Sequence, residues 1–328
     1  MTTQKTALVY GSTGQLGSYL VDLLHEKDYI VYGHEGHFND IDWEGSLFQS
    51  ILKENRPDEV YNFAAKMYAP DSWKDPMEYW KVNGTMVLSM LDIIQQHCPE
   101  TKFFLAGSAE VFDKGSVMQW EDTNRLPDSP YGLAKMMAME AVRIYREQKG
   151  LRACTGIFFN AESPRRKKTF FAQKVAQEVV RLKNGFGTNG FTPIVLGRLD
   201  ARRDWGWAPE YAEVAWKMMQ QDSFESFEDY VIGTGETHTC REFVAEALMA
   251  AGLPDVEKNF ETYVDYDKTF SPVGNCMRAM PDKAKRRLGW QAQYKFKDVV
   301  RMLVESALEE HKAQPREESI AGLTQTTK

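Results

Sequence analysis

Tyr131 and Lys135 stand four residues apart in Tyr131-Gly132-Leu133-Ala134-Lys135, a spacing that puts both on one face of a helix. An ammonium beside a phenol favours the phenolate and lowers the tyrosine pKa from about 10 toward neutrality, so the pair can act as a general base on a hydroxyl. Upstream, Gly107-Ser108-Ala109-Glu110 adds a hydroxyl and a carboxylate. Ser108 can hydrogen-bond the reacting oxygen, or serve only as a turn cap. Glu110 can remove a carbon-bound proton and protonate a leaving hydroxyl, or stand as a solvated charge. The YxxxK pattern arises by chance in many chains. Here a helix-start signal, Ser129-Pro130, precedes it, and Ser108 and Glu110 follow directly on the apolar run 103–106 (FFLA).

A second constellation lies near the N-terminus. Residues 6–10 (TALVY) form an apolar, strand-like run, Gly11-Ser12-Thr13-Gly14-Gln15-Leu16-Gly17 is a glycine-rich turn, and 18–25 (SYLVDLLH) has helical apolar spacing. Strand, glycine turn and helix in that order let backbone N–H groups and the positive helix end approach a pyrophosphate. A glycine triplet alone would be an ordinary tight turn. About 20 residues on, Glu35 is the candidate for the adenosine ribose hydroxyls, with a solvated surface charge as its other reading; Asp40 is a candidate for the adenine edge.

The elements that must position these groups alternate. Strand-like runs at 29–32, 59–63 (EVYNF), 103–106 and 153–159 are separated by helical patterns such as 86–95, which argues for a doubly wound parallel α/β sheet. Beyond Gly150 the chain becomes richer in Arg, Lys, Gly and Pro, and helical patterns recur at 170–182, 241–251 and 296–310. The expected division is a dinucleotide-binding domain over 1–160, which also receives parts of about 198–234, and a smaller lobe mainly over 161–311. Residues 312–328 are polar, without apolar periodicity, and are expected to be disordered.

Composition bounds the partners. The 328 residues include 43% hydrophobic and 27% charged side chains, in the globular range, and the formal net charge of −7 gives no general affinity for nucleic acid or anionic membranes. Cysteines 98, 154, 240 and 276 have no metal-ligand or disulfide-framework spacing. No run reaches the roughly 18 apolar residues of a membrane span, and the start has no signal-peptide pattern. A reducing cytoplasm and no metal are therefore expected.

With Gly11 to Gly17, Ser108, Tyr131 and Lys135 in this order, the chain resembles the extended short-chain dehydrogenases/reductases. Asn160-Ala161-Glu162-Ser163-Pro164-Arg165-Arg166, Leu196-Gly197-Arg198-Leu199-Asp200-Ala201-Arg202-Arg203-Asp204-Trp205-Gly206 and Tyr230-Val231-Ile232-Gly233-Thr234-Gly235-Glu236-Thr237-His238 narrow the resemblance to the GDP-mannose 4,6-dehydratase family. With the closing 283–290 (KAKRRLGW), it spans roughly 6–300. The resemblance implies a Rossmann-like domain with a C-terminal α/β substrate lobe, and an internal redox cycle on a GDP-sugar. Tyr131 would take the 4-hydroxyl proton, Lys135 would support Tyr131 and hold the nicotinamide ribose, and Glu110 would act on the C5 proton and the C6 hydroxyl. It further implies NADP as cofactor, contacts to it from Ile41, Phe63, Ala64, Ala65, Lys66 and Arg166, and substrate contacts from Asn160, Lys174, Arg198 and Arg203. Trp205 and Trp207 are expected to pack rather than stack on a base. A homodimer through two helices beside the YxxxK helix is the implied assembly.

The sequence departs from that family in three places. Only 34–39 remain where the family has a long loop and helix, and its arginine pair falls near Glu35 and Gly36, which pulls toward NAD and away from a tetramer built through that loop. Ala161 replaces the histidine of the family's NHESPRR string. Ser271 and Gly274 stand about where the family has an Arg-Pro pair and a Glu. The short span after the second strand also resembles the 4-keto-sugar reductases of the superfamily, so a NAD(P)H-dependent reductase or epimerase is the alternative. Glu110 discriminates, because a pure reductase needs no carboxylate to eliminate water. A third reading is a binding protein without turnover, whose signature would be bound cofactor and no product.

Overall fold

The structure, a computed structural model, describes residues 4–34, 46–188, 190–221, 223, 227–268 and 276–313. The expectations for Glu35, Asp40, Ile41, Ser271 and Gly274 lie outside these residues. Its frame is a six-stranded sheet whose strands are all parallel. In chain order come β1 (Thr6–Tyr10), α1 (Gln15–Glu26), β2 (Ile30–His34), α2 (Ser46–Asn55), β3 (Glu59–Asn62), α3 (Pro76–Trp80), α4 (Met86–His97) and β4 (Lys102–Ala106). They are followed by β5 (Met118–Gln119), α5 (Pro130–Lys149), β6 (Ala153–Phe158), β7 (Asn160–Glu162) and α6 (Phe171–Gly185). Then come β8 (Ile194–Leu196), β9 (Arg202–Arg203), β10 (Trp205–Trp207), α7 (Ala208–Met219) and β11 (Tyr230–Ile232). The chain closes with β12 (His238–Thr239), α8 (Cys240–Ala250), α9 (Val256–Tyr263), β13 (Val264–Tyr266), β14 (Arg278–Ala279), α10 (Asp282–Leu288) and α11 (Phe296–Ala313).

The sheet order is β2-β1-β3-β4-β6-β11, so the order reverses between β1 and β3, and a crevice for a ligand opens there at the carboxyl ends of the strands. The alternation of β1 explains the two layers around it. Ala7 and Val9 point into a core with Leu20 and Leu24 of α1 and Tyr211 and Ala215 of α7. Leu8 and Tyr10 point the other way, into a core with Phe48 and Leu52 of α2, Met90 of α4 and Met139 of α5. Both faces being covered, β3 and β6 are buried along their whole length.

A third core belongs to the C-terminal half, where α6, α8, α9 and α11 pack around β8 and β13. Trp205 is buried in that core against Phe243, and the half-buried Trp207 packs on Tyr294, as packing residues do. Helix α11 continues through Lys312 to Ala313, because its apolar face, ending at Ala307 and Leu308, keeps the polar last turn in register. The polar stretch expected to lack structure thus gives its first two residues to a helix. Among the described residues no helix is long and apolar enough to cross a membrane.

One buried carboxylate ties separate stretches of the chain. Asp204, between β9 and β10, accepts hydrogen bonds from Thr234 N (2.8 Å), Thr234 Oγ1 (2.7 Å), Gly235 N (2.9 Å) and Ala279 N (3.2 Å). Burial pushes its pKa up to about 6 against the pull of these donors, so it is mainly an anion at neutral pH.

Candidate active site

Three glycines shape the turn after β1. Gly11 takes φ +82°, and a Cβ there would come within 2.8 Å of Ala64 N, so the turn lies directly against the chain leaving β3. A Cβ on Gly17 would sit 2.1 Å from Gly11 O; that carbonyl accepts from Gly14 N at 3.0 Å. Gly14, the N-cap of α1, carries no side-chain cap, which leaves the first-turn N–H groups of a twelve-residue helix facing the crevice. This cradle fits a dinucleotide pyrophosphate. Phe63, Ala64, Ala65 and Lys66 leave β3 beside it, so the glycine turn and that segment come together as expected.

Arg166 reaches this cradle. Its guanidinium donates to Ala161 O (2.7 Å) and to Gln15 Oε1 (3.3 Å), with Nε 3.2 Å from the buried Glu162 carboxylate. Gln15 in turn donates to Ala161 O at 3.0 Å, and the guanidinium lies 4.1 Å from the centre of the Phe170 ring. Burial raises the Glu162 pKa, opposed by Arg166 and by a hydrogen bond from Asn160.

The YxxxK pair sits at the start of α5. Ser129 caps the helix by accepting from Gly132 N at 3.1 Å, Pro130 occupies the first turn, and Gly150 closes the other end in the left-handed conformation. Tyr131 and Lys135 are both buried. Ser108 and Glu110 arrive on a 3₁₀ turn, Ala109–Val111, just beyond β4. That turn presses on α5 so closely that a Cβ at position 132 would fall 2.6 Å from Glu110 O, which requires the glycine of the Tyr-Gly pair. The Ser108 hydroxyl accepts from Glu110 N at 3.3 Å and lies close enough to the Tyr131 phenol to favour its ionised form. Ser108, Glu110, Tyr131 and Lys135 are therefore gathered at the carboxyl end of β4, beside the crevice.

Their electrostatics differ from the expectation. Burial pushes Tyr131 up to about 12, with Ser108 and Arg166 pulling it down and Glu110 pushing it up. Burial also brings Lys135 down to about 8, and its ammonium donates to Ala106 O at 2.9 Å. The expected lowering of the phenol by Lys135 is thus not a property of the chain alone. Low dielectric disfavours both charged forms, and Lys135 spends a proton on a strand carbonyl.

Sequence reasoning missed two supports. The junction of α3 and α4 is a π turn, Lys81–Thr85, a distortion common at functional sites. In it the buried Asn83 accepts from Lys66 N and donates to Lys66 O, both at 2.9 Å, and so pins the segment that flanks the glycine turn. A polar Asn83-Gly84 pair inside a helical pattern was the available signal. Lys66 Nζ pairs with Glu78, and Tyr79 of α3 meets the Tyr131 ring edge-on at 6.3 Å. The second support is Lys114, whose Nζ lies 3.0 Å from Glu110 Oε2 and 2.6 Å from Asp128 Oδ1. Its signal was the i, i+4 spacing to Glu110.

The expected substrate contacts are less concentrated. Asn160 N donates to Asp204 O at 3.2 Å, which puts Asn160 one residue from Arg203 across that pairing; Arg203 donates to Arg202 O at 2.9 Å. Lys174 is exposed on α6. Arg198 is tied to Asp200 by bonds of 2.6 and 3.1 Å, at a cavity of about 200 Å³ lined by Asp200, Thr239, Arg241, Tyr266 and Lys268. A cavity of about 350 Å³ at the amino ends of β1, β3 and β4 contains none of the expected residues.

Known proteins resemble this chain along most of its length. A sequence model described as GDP-mannose 4,6 dehydratase matches residues 34–303. GDP-mannose 4,6 dehydratase 1 of Arabidopsis thaliana is 35% identical, over 93% of this chain and 90% of its own length. The Homo sapiens GDP-mannose 4,6 dehydratase is 33% identical, over 95% of this chain and 94% of its own. Among solved structures, RMD from Pseudomonas aeruginosa complexed with NADPH superposes with a TM-score of 0.78 at 18% identity, over 94% of this chain and all of that one. The dTDP-glucose 4,6-dehydratase from Bacillus anthracis in complex with NAD gives 0.76 at 17%, over 94% and 98%. At such identity these two structures speak to the fold.

Proposed function

Since the chain belongs to the GDP-mannose 4,6-dehydratase family, whose members are hydro-lyases, we propose that it converts GDP-mannose, or a close GDP-sugar, to the 4-keto-6-deoxy sugar with loss of water. The observation that carries this reading is the meeting of Ser108, Glu110, Tyr131 and Lys135 at the end of β4, beside an open helix N-terminus. Gly11, Ser12, Thr13, Gly14, Gln15, Leu16 and Gly17 would hold the pyrophosphate of a nicotinamide dinucleotide; Phe63 to Lys66 and Arg166 would flank it, and Glu35, Asp40 and Ile41 would take its adenosine half. Bound there, a nicotinamide would supply a reversible hydride acceptor, so that oxidation at C4 and reduction at C6 would leave the cycle redox-neutral.

The protein's own groups move the protons. Tyr131 takes the proton of the 4-hydroxyl while Ser108 holds that oxygen, and Lys135, still largely protonated at neutral pH, supports the nicotinamide ribose. The resulting C4 ketone acidifies C5. Glu110 then accepts the C5 proton and delivers it to the C6 oxygen, which leaves as water; when C6 is reduced, C5 regains a proton from Tyr131, the one taken from the 4-hydroxyl, and the balance is the loss of one water. Asn160, Lys174, Arg198 and Arg203 would contact sugar, diphosphate or base, arginine forks suiting diphosphate oxygens. Residues 1–160 act as the dinucleotide domain and 161–311 mainly as the sugar-nucleotide lobe. The assembly would be a homodimer through helices beside α5, a face on which Leu88 of α4 is exposed.

The family resemblance favours NADP, while Glu35 would repel a 2′-phosphate and favours NAD. One experiment addresses reaction and cofactor together. GDP-mannose incubated with purified protein and either NADP or NAD should lose one water by mass spectrometry with no net change in nicotinamide absorbance, and the faster cofactor identifies the preference. Tyr131→Phe should suppress C4 oxidation by about 10² or more. Net oxidation of NAD(P)H by a 4-keto sugar, without dehydration, would select the reductase alternative instead.

A further inference from the structure

Lys114 belongs to none of the groups that the proposed reaction uses, yet it faces the one whose charge must change. Its side chain is largely buried, 18% exposed, and bridges Glu110 (Oε2 at 3.0 Å) and Asp128 (Oδ1 at 2.6 Å). Among the described residues it is the only cation within ion-pair distance of Glu110. The loop that carries it is braced. Asp113 N donates to Asn124 O and Gly115 N to Asp113 Oδ1, both at 2.9 Å, and Arg125 pairs with Glu140 of α5. The desolvation that would neutralise the ammonium is outweighed by the two carboxylates, so Lys114 stays charged.

We propose that Lys114 is a positioning residue of the dehydration step, aiming the Glu110 carboxylate beside Tyr131, with Asp128 as the second anchor that keeps Lys114 compensated when Glu110 takes a proton. This rests on the dehydratase reading given above. Glu110 and Asp128 share the same ammonium, which fixes the Glu110 carboxylate from the side of the loop. When the C5 proton arrives, Lys114 keeps one carboxylate partner, so no buried cation is left unpaired, and Glu110 can pass its proton on to the C6 oxygen. Tyr131 of α5 feels the Glu110 carboxylate, and Arg166 after β7 and Tyr79 of α3 face the same phenol. The Lys135 ammonium is held by Ala106 O, and Arg166 lies among Gln15, Ala161 and Glu162.

The test uses the full-length protein with cofactor. Lys114→Met should move the acid limb of the kcat–pH profile, and the Glu110 titration followed by ¹³C NMR, up by about one pH unit. Asp128→Asn, at a largely exposed position, should move both down, because Lys114 then serves Glu110 alone and a like charge is gone. Lys114→Arg should restore the wild-type profile. KM for the GDP-sugar should stay within about twofold in all three, since Lys114 is argued to act through Glu110 and not on the substrate. Unmoved titration in both Lys114→Met and Asp128→Asn would overturn the proposal and leave Lys114 as a loop brace. So would a Glu110 titration that moves while the kinetic limb does not. If wild-type protein removes no water from any GDP-sugar, the dehydratase reading fails on its own, and the proposed part of Lys114 in dehydration falls with it; the NMR titration then decides separately whether Lys114 controls Glu110.

Discussion

Glu110→Gln should lower dehydration by about 10² or more while leaving cofactor binding intact. Glutamine keeps the shape of the side chain, and Lys114 retains Asp128 at 2.6 Å, so no buried cation is stranded and the 3₁₀ turn keeps its Ser108 cap. What is lost is the one group able to accept the C5 proton. Oxidation at C4 depends on Tyr131 and proceeds, so the enzyme should accumulate the 4-keto sugar with reduced nicotinamide still bound. Stopped-flow nicotinamide absorbance together with mass spectrometry of the quenched sugar nucleotide reads this directly. Near-normal release of water would remove Glu110 from the mechanism.

The second large effect is expected at the glycine turn. Gly17→Ala would place a methyl 2.1 Å from Gly11 O and 2.8 Å from Gly11 C, both backbone atoms that no rotamer change can move aside. Relief requires shifting α1 away from β1, which opens the pyrophosphate cradle. Overpacking of this kind costs about 3 kcal/mol or more. Carried by cofactor affinity alone, that is a loss of more than about 10²-fold in Kd. Gly14→Ala is the control, because its Cβ would stand 3.2 Å from the same carbonyl, a contact relieved by a few tenths of an ångström. Calorimetric titration with the cofactor, alongside thermal unfolding of each variant, separates loss of binding from loss of fold.

The parts of the fold legible in the sequence are those with local causes. The apolar run TALVY, the glycine spacing and the Ser129-Pro130 start mark β1, the turn and α5, and the structure moves those boundaries by a few residues at most. The catalytic candidates were legible as residue types, because Tyr and Lys at i, i+4 fall on one helical face and Ser108 and Glu110 follow a strand. Their electrostatics were not. Whether Lys135 meets the phenol or the Ala106 carbonyl depends on how α5 lies against β4, which no local pattern encodes. For the same reason Arg166 could be assigned to the cofactor from its string, while its contact with Gln15, 151 positions away, required the fold. The Asn83 clamp on Lys66 is likewise a product of one distorted helical turn meeting a strand end.

Asp204 has a consequence for motion. One carboxylate collects the amides of Thr234 and Gly235, at the end of the outer sheet strand, and of Ala279, in the strand that pairs with β5 below the catalytic loop. Three amides from two distant stretches of chain then have a common latch. Their hydrogen exchange should follow a single opening event, with matching protection factors, instead of fraying separately.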